Sequence, residues 1–153
     1  MLRISKLTDY GTVVMVCLAK RMPAISSARD IASATHLSVP TVSQLLKRLT
    51  SAGLLSSTLG ATGGYRLQRA AALISVADII YALDEQRGLT ECSQKQDTCA
   101  LHHVCDIQNN WRAISAAIES ALDSVSLEAL ARPKISEAHL LRVKQLATGV
   151  RLG

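Results

Sequence analysis

The sequence contains no phenylalanine, and aromatic residues fill only 3% of its 153 positions. A core without large rings has to be built from Leu, Ile, Val and Ala, a palette that favours packed helices over a β-sandwich. Long hydrophobic runs are also missing: none reaches the ~18 residues needed to span a bilayer. The apolar stretch Gly11 to Ala19 is followed, not preceded, by the basic pair Lys20 and Arg21, and no small-residue cleavage site comes after it. It therefore reads as a helix and not as a signal peptide, and a cytoplasmic protein with no membrane partner is expected. There is no P-loop, no dinucleotide fingerprint and no persuasive nucleophile–base pair, which argues against an enzyme and against a small-molecule substrate.

Acidic residues are scarce in the first half. Up to Arg69, nine basic side chains face only Asp9 and Asp30, a local charge of +7, whereas the remainder carries eight basic and ten acidic residues, or −2. A basic half joined to a mildly acidic half points to a polyanion partner for the first half alone; a lysine- and arginine-rich soluble surface is the plainer alternative.

What is present organises the basic half. Residues from about Thr8 to Lys20 read as a helix, with Leu7, Val14, Cys17 and Leu18 near one face. Cys17 reads as a small buried core residue. Ser27 with Asp30 forms a capping-box pattern that opens a second helix, ending near Ala34. After the short turn Thr35-His36-Leu37, Ser38 caps a third helix with Pro40 in its first turn, and Gly53 marks the end. A short helix, a tight turn and a longer helix make a helix-turn-helix, and Thr41, Ser43, Gln44, Lys47 and Arg48 supply a polar face suited to a major groove. An ordinary helical hairpin is the alternative. The next segment decides between them: Leu54–Thr58 and Tyr65–Leu67 read as strands around the glycine-rich turn 59–64, a β-hairpin in the position of a wing.

Ser75-Val76-Ala77-Asp78 starts a further helix reaching about Leu83. Periodicity then fails from Gly88 to Gln108 and returns in a longer helix from about Ile107 to Leu122, with Trp111, Ile114, Ala117, Ile118, Ala121 and Leu122 in one stripe. Such a stripe in a small chain suits a partner subunit, here a second copy, or else the N-terminal domain. The fold class expected is mainly α: a winged helix-turn-helix with a long C-terminal dimerisation helix. Its parts are a DNA-binding domain at 1–86, a cysteine-rich loop at 87–108, a dimerisation helix region at 107–131 and a helical or disordered tail at 132–153.

The loop holds Cys92, Cys99 and Cys105, separated by six and five residues. Soft thiolates suit zinc or an iron–sulfur cluster. Paired C-x2-C knuckles of a zinc ribbon are absent, and the wide, nearly even spacing fits a polynuclear cluster better. A structural zinc site or a bare thiol switch are the alternatives.

The chain resembles the bacterial iron–sulfur winged-helix regulators of the IscR and NsrR type, closest to the branch that regulates SUF iron–sulfur assembly operons. The carrying residues are Leu-Thr-Asp-Tyr-Gly at 7–11, Asp30-Ile31-Ala32, the run 44–49 from Gln44 to Leu49, Gly53-Leu54-Leu55, the segment Gly60 to Leu67, the segment Ile74 to Ile80, and the three cysteines followed by Trp111. The resemblance implies a homodimer on a double-stranded DNA operator, with Cys92, Cys99 and Cys105 holding a cluster, 2Fe–2S favoured over 4Fe–4S. Gln108 stands where IscR-like members place a histidine ligand, while Asp9 stands where NsrR-like members place an aspartate supplied across the dimer. Asp9 is therefore the favoured fourth ligand, with an N-cap role for it and ligation by His102 or His103 as alternatives. For DNA the implied contacts are Ser38, Thr41, Ser43, Gln44, Lys47 and Arg48 on the recognition helix and Thr62, Gly63, Gly64 and Arg66 on the wing. Gln44 packing inward and Arg48 pairing with an acid are the competing readings. Relatives carry a basic residue just before the wing glycines; this chain has Leu59, so Arg66 or Arg69 would have to reach the phosphates instead. The implied function is a repressor of iron–sulfur assembly genes, with a nitric-oxide or redox sensor, or a constitutive DNA binder with structural zinc, as alternatives.

Overall fold

The computed structural model describes residues 4–84, 89–90, 93, 105–132 and 141. Cys92, Cys99, His102, His103 and, apart from Leu141, the tail beyond Arg132 lie outside the described residues.

Helix α1 (Lys6–Arg21) starts two residues earlier than its periodicity suggests, because Ser5 is the cap: its Oγ accepts from the Thr8 amide at 3.1 Å. The N-cap reading of Asp9 is thereby corrected; Asp9 lies within the first turn with an exposed side chain. Thr8, Gly11, Val14, Met15 and Leu18 form the buried stripe, and Cys17 sits at its edge, half-buried. Gly11 is in that stripe because a Cβ there would fall on Cδ1 of Leu83.

Helix α2 (Ala28–Thr35) has the full reciprocal capping box expected of Ser27 and Asp30. It ends on His36, whose left-handed φ of 57° reverses the chain, and Ser38 then caps helix α3 (Val39–Ser51). Strands β1 (Leu55–Thr58) and β2 (Gly64–Leu67) pair antiparallel with Ser57 opposite Tyr65. Ser26 and Tyr65 exchange both backbone hydrogen bonds, 3.0 and 2.9 Å, so the wing is anchored to the entry of α2.

A short 3-10 turn (Ala71–Leu73) leads to helix α4 (Val76–Leu83), again opened by a capping box, from Ser75 and Asp78. Helix α5 (Gln108–Asp123) packs on α4. The chain turns after Asp123, one residue past the helix end expected at Leu122; Ser126 then caps helix α6 (Leu127–Ala131), and Leu127 donates its amide to Ile74 O at 2.7 Å. Leu127 is fully buried, so this end of the region belongs to the N-terminal core.

That core joins Val14, Met15 and Leu18 of α1, Ile31 of α2, Val42, Leu45, Leu46 and Leu49 of α3, Ile79 and Leu83 of α4, and Leu127 of α6. Each fully buried leucine contributes on the order of 2 kcal/mol by leaving water. The aliphatic composition thus resolves into one helical core that holds α3 with its polar face outward.

Candidate nucleic-acid interface and cysteine segment

Helix α3 is divided cleanly. Val42, Leu45, Leu46 and Leu49 are buried, and Ser43, Gln44, Lys47 and Arg48 are exposed. At 100° per residue, Ser43 and Lys47 lie one turn apart on the side opposite Leu45 and Leu49. Gln44 is out in solvent, not packed inward. At the helix start, Ser38 and Thr41 share a 2.7 Å hydroxyl contact in addition to the cap.

The basic side chains on and beside this face differ in how free they are. Lys47 makes no ion pair with a described residue. Arg48 pairs with no acid among the described residues; its Nη1 donates to the Leu83 carbonyl at 3.1 Å, at the end of α4. On the wing, Arg66 Nε donates to Ser56 Oγ at 3.3 Å. Arg69 is held by Asp78 at 2.6 Å, the same carboxylate oxygen that caps α4. Arg69 therefore has an internal role that its sequence position did not reveal.

The wing glycines are explained inside the protein. A Cβ on Gly63 would strike the Thr58 carbonyl oxygen, and one on Gly64 would strike the Ser26 carbonyl. Gly63 also donates to Gly60 O at 3.0 Å, closing the turn, and Gly60 has φ of +108°. The close backbone approach expected of these glycines is thus made first to their own chain. Thr62 is exposed at the tip beside them.

Of the expected cluster ligands, Cys105 and Asp9 are described. Cys105 is half-buried and lies three residues before Gln108, the first residue of α5. Among the described residues no three His, Cys, Asp or Glu side chains converge as a metal site. One observation bears on whether this region fits a sulfur-rich group: Gln108, one turn past Cys105, is only 9% exposed, and its Nε2 has no hydrogen-bond partner among the described residues. A buried amide donor without an acceptor costs about 1–3 kcal/mol, and an anionic sulfur acceptor nearby would relieve it. The residues present are therefore compatible with the group.

Two contacts sequence reasoning missed meet at the end of α4. Thr8 Oγ1 donates to Asp84 Oδ2 at 2.7 Å, next to Asp9, and Arg48 binds Leu83, the neighbouring residue. Their sequence separations, 76 and 35 residues, leave no local signal. Ser5 was legible, since a serine three residues before Thr8 carries the capping spacing.

A polar-faced helix after a tight turn, followed at once by a two-stranded wing, defines a winged helix-turn-helix DNA-binding protein. The family model for Rrf2, described as an iron-dependent transcriptional regulator, matches residues 4–133, and the chain belongs to that family. It is 32% identical over 134 residues to "Protein rrf2" of Nitratidesulfovibrio vulgaris, covering 86% of this chain and 88% of that one. It is 39% identical over 108 residues to the HTH-type transcriptional regulator IscR of Xenorhabdus nematophila, a match spanning 67% of this chain but 62% of the relative. Among solved structures it is similar to CymR (YrzC), the global cysteine regulator of B. subtilis, with a TM-score of 0.67 and 34% identity over 86% of this chain and 97% of that one. It is also similar to T. potens IscR, with a TM-score of 0.62 and 30% identity over 99% of this chain and 93% of that one. The chain is thus a DNA-binding transcriptional regulator and not an enzyme. No helix among the described residues is long and apolar enough to cross a membrane.

Proposed function

We propose that the chain is a homodimeric repressor of iron–sulfur cluster assembly genes that senses through an iron–sulfur cluster held by Cys92, Cys99 and Cys105, with Asp9 of a second copy as the fourth ligand. The observation that carries the cluster reading is the unpaired, buried Gln108 amide one turn past Cys105. The IscR name of several relatives supports it.

Dimerisation is supported by α5. Gln108 is its only buried residue, and Trp111 on it is 37% exposed. A 16-residue helix with an apolar stripe that its own chain only half covers suits an equivalent helix. Two recognition helices would then read two half-sites, with Ser43, Gln44 and Lys47 toward base edges. Ser38 and Thr41 lie at the helix start, and Thr62, Gly63, Gly64 and Arg66 form the wing. Arg48 keeps its Leu83 contact and contributes little to the phosphates. A ligand supplied by Asp9 would pull on the start of α1, which Thr8 ties to Asp84, next to the carbonyl that Arg48 grips. That chain of contacts links the ligand to the position of α3.

The bound cluster supplies visible charge-transfer absorption and an iron whose hard carboxylate ligand exchanges more readily than a thiolate. An exposed carboxylate ligand also favours a second reading, in which nitric oxide or oxygen is the signal and stress genes the target. Constitutive DNA binding with structural zinc is the third.

The test is anaerobic purification with a visible spectrum and iron and acid-labile sulfide assays, repeated on Cys105→Ser. Brown protein with matched iron and sulfide, lost in Cys105→Ser, supports the cluster. Operator binding with and without it, and after nitric oxide, then separates the first two readings. Colourless protein that stays iron-free after anaerobic reconstitution leaves zinc or a thiol switch.

A further inference from the structure

Gln108 opens helix α5 and is its only buried residue, while Asn109 and Asn110 beside it are exposed. A glutamine is seldom buried unless its amide is bonded, yet Nε2 of Gln108 has no acceptor among the described residues. Ser115, two turns further on, returns to within about 20° of the same side of the helix at 100° per residue. Its Oγ accepts from the Leu89 main-chain amide at 3.3 Å, and the main-chain amide of Gln108 donates to the Cys105 carbonyl at 3.5 Å. Leu89 and Cys105 flank Cys92 and Cys99 in the chain. The described stretches on both sides of those thiols are thus fastened to α5, and the Leu89 attachment lies on the face that carries Gln108.

The start of α5 is also short of acceptors. Ser5, Ser27, Ser38, Ser75 and Ser126 cap the other α-helices with their hydroxyls, whereas Ile107 offers no side-chain acceptor to α5. Next to Cys105, then, the chain assembles hydrogen-bond donors and leaves out the group that would satisfy them.

We propose that Gln108 is a positioning residue that donates a hydrogen bond from Nε2 to an anionic sulfur of the cluster, without ligating iron, and that this bond raises the cluster's reduction potential. The role rests on the cluster proposed above. The orphaned atom is an amide nitrogen, whose lone pair is shared with the carbonyl, so it serves a sulfur as a donor and not an iron as a ligand. One-electron reduction adds a negative charge that spreads over the sulfurs. An N–H aimed at one of them stabilises the reduced form more than the oxidised form, which moves the potential upward. No bond to iron forms or breaks and no proton moves; one electron enters from a one-electron reductant. A buried donor acts here with little screening by water, so a single amide sets the potential at which the sensor changes state.

The test uses the full chain loaded anaerobically, titrated with dithionite while the visible spectrum reports reduction. Gln108→Leu should bind iron and sulfide in the wild-type ratio, have a more negative midpoint potential, and lose its cluster to a chelator roughly tenfold faster. Asn109→Ala, at the exposed neighbouring amide, should leave the potential unchanged. Pulsed electron paramagnetic resonance of the reduced wild type, labelled with nitrogen-15 in its glutamine side chains, should show a weak coupling that disappears in Gln108→Leu. Loaded Gln108→Leu with an unchanged potential overturns the proposal and leaves the cluster reading standing. So does a wild type with no glutamine coupling, or with the strong coupling of a nitrogen bound directly to iron. Gln108→Leu that takes up no cluster under conditions that load the wild type makes Gln108 a ligand and likewise overturns the donor role. A wild-type chain that remains colourless and iron-free overturns the cluster reading, and the proposal with it.

Discussion

The guanidinium of Arg48 donates to the main-chain oxygen of Leu83 at 3.1 Å, joining the recognition helix to the last turn of α4. A cation at a helix C-terminus also meets the negative end of the helix dipole. This residue, which its place beside Lys47 marks as a phosphate contact, is therefore committed within the fold. Arg48→Met should lower folding stability by about 1 kcal/mol in chemical denaturation and leave the salt slope of DNA binding unchanged. Lys47→Gln should do the reverse, with stability intact and the slope reduced by about one unit. Equal slope changes in the two variants would show that Arg48 leaves Leu83 when DNA binds.

Gly11→Ala tests the contact between α1 and α4. The new methyl falls on Leu83 Cδ1, in a site also lined by Leu45. Alanine is the better helix former, so propensity alone predicts a gain. Overpacking should win, with a net loss of about 1–3 kcal/mol in thermal or urea unfolding. Truncating Leu83 to alanine in the same chain should be less harmful than in the wild type, a non-additivity that two contacting sites must show.

The Ser27–Asp30 box carries a pH dependence. Hydrogen bonds from the Ser27 side chain and backbone hold the Asp30 carboxyl below the usual carboxylate range, with Arg21 adding to the effect. A depressed folded-state pKa means that the stabilisation is present above the unfolded pKa and is lost as pH falls through the lower, folded one. Ser27→Ala should raise the Asp30 pKa in a carboxyl-carbon NMR titration. Its melting temperature should fall below that of the wild type near neutrality, with the gap narrowing in acid. A gap independent of pH would assign the whole effect to the lost serine cap.

Gln108 tests the cysteine segment without reference to activity. In protein kept metal-free, Gln108→Leu replaces a buried, unpaired amide with an apolar side chain of similar size, and stability should rise by about 1 kcal/mol. Destabilisation would mean that the amide has an acceptor in the metal-free chain.

Much of this was legible in the order of the residues. The caps Ser27, Ser38 and Ser75 lie within three residues of the amides they satisfy, so the starts of α2, α3 and α4 were readable to the residue. The polar face of α3 followed from the spacing of Val42, Leu45, Leu46 and Leu49. The wing was placed by its glycines. By contrast, the docking of α6 was hidden: Leu127 is held by Ile74, and Val125 by Val76, contacts that no five-residue window contains.

The sequence by itself determined the class of protein, because capping, helical periodicity and turn chemistry act over three or four residues and leave their mark in the local pattern. Tertiary structure alone decided which basic side chains are free. Lys47, Arg48, Arg66 and Arg69 are alike as letters, yet Leu83, Ser56 and Asp78 engage three of them and leave Lys47 exposed. A guanidinium takes whatever acceptor the folded chain brings within about 3 Å, and only the packing of distant segments determines which acceptor that is.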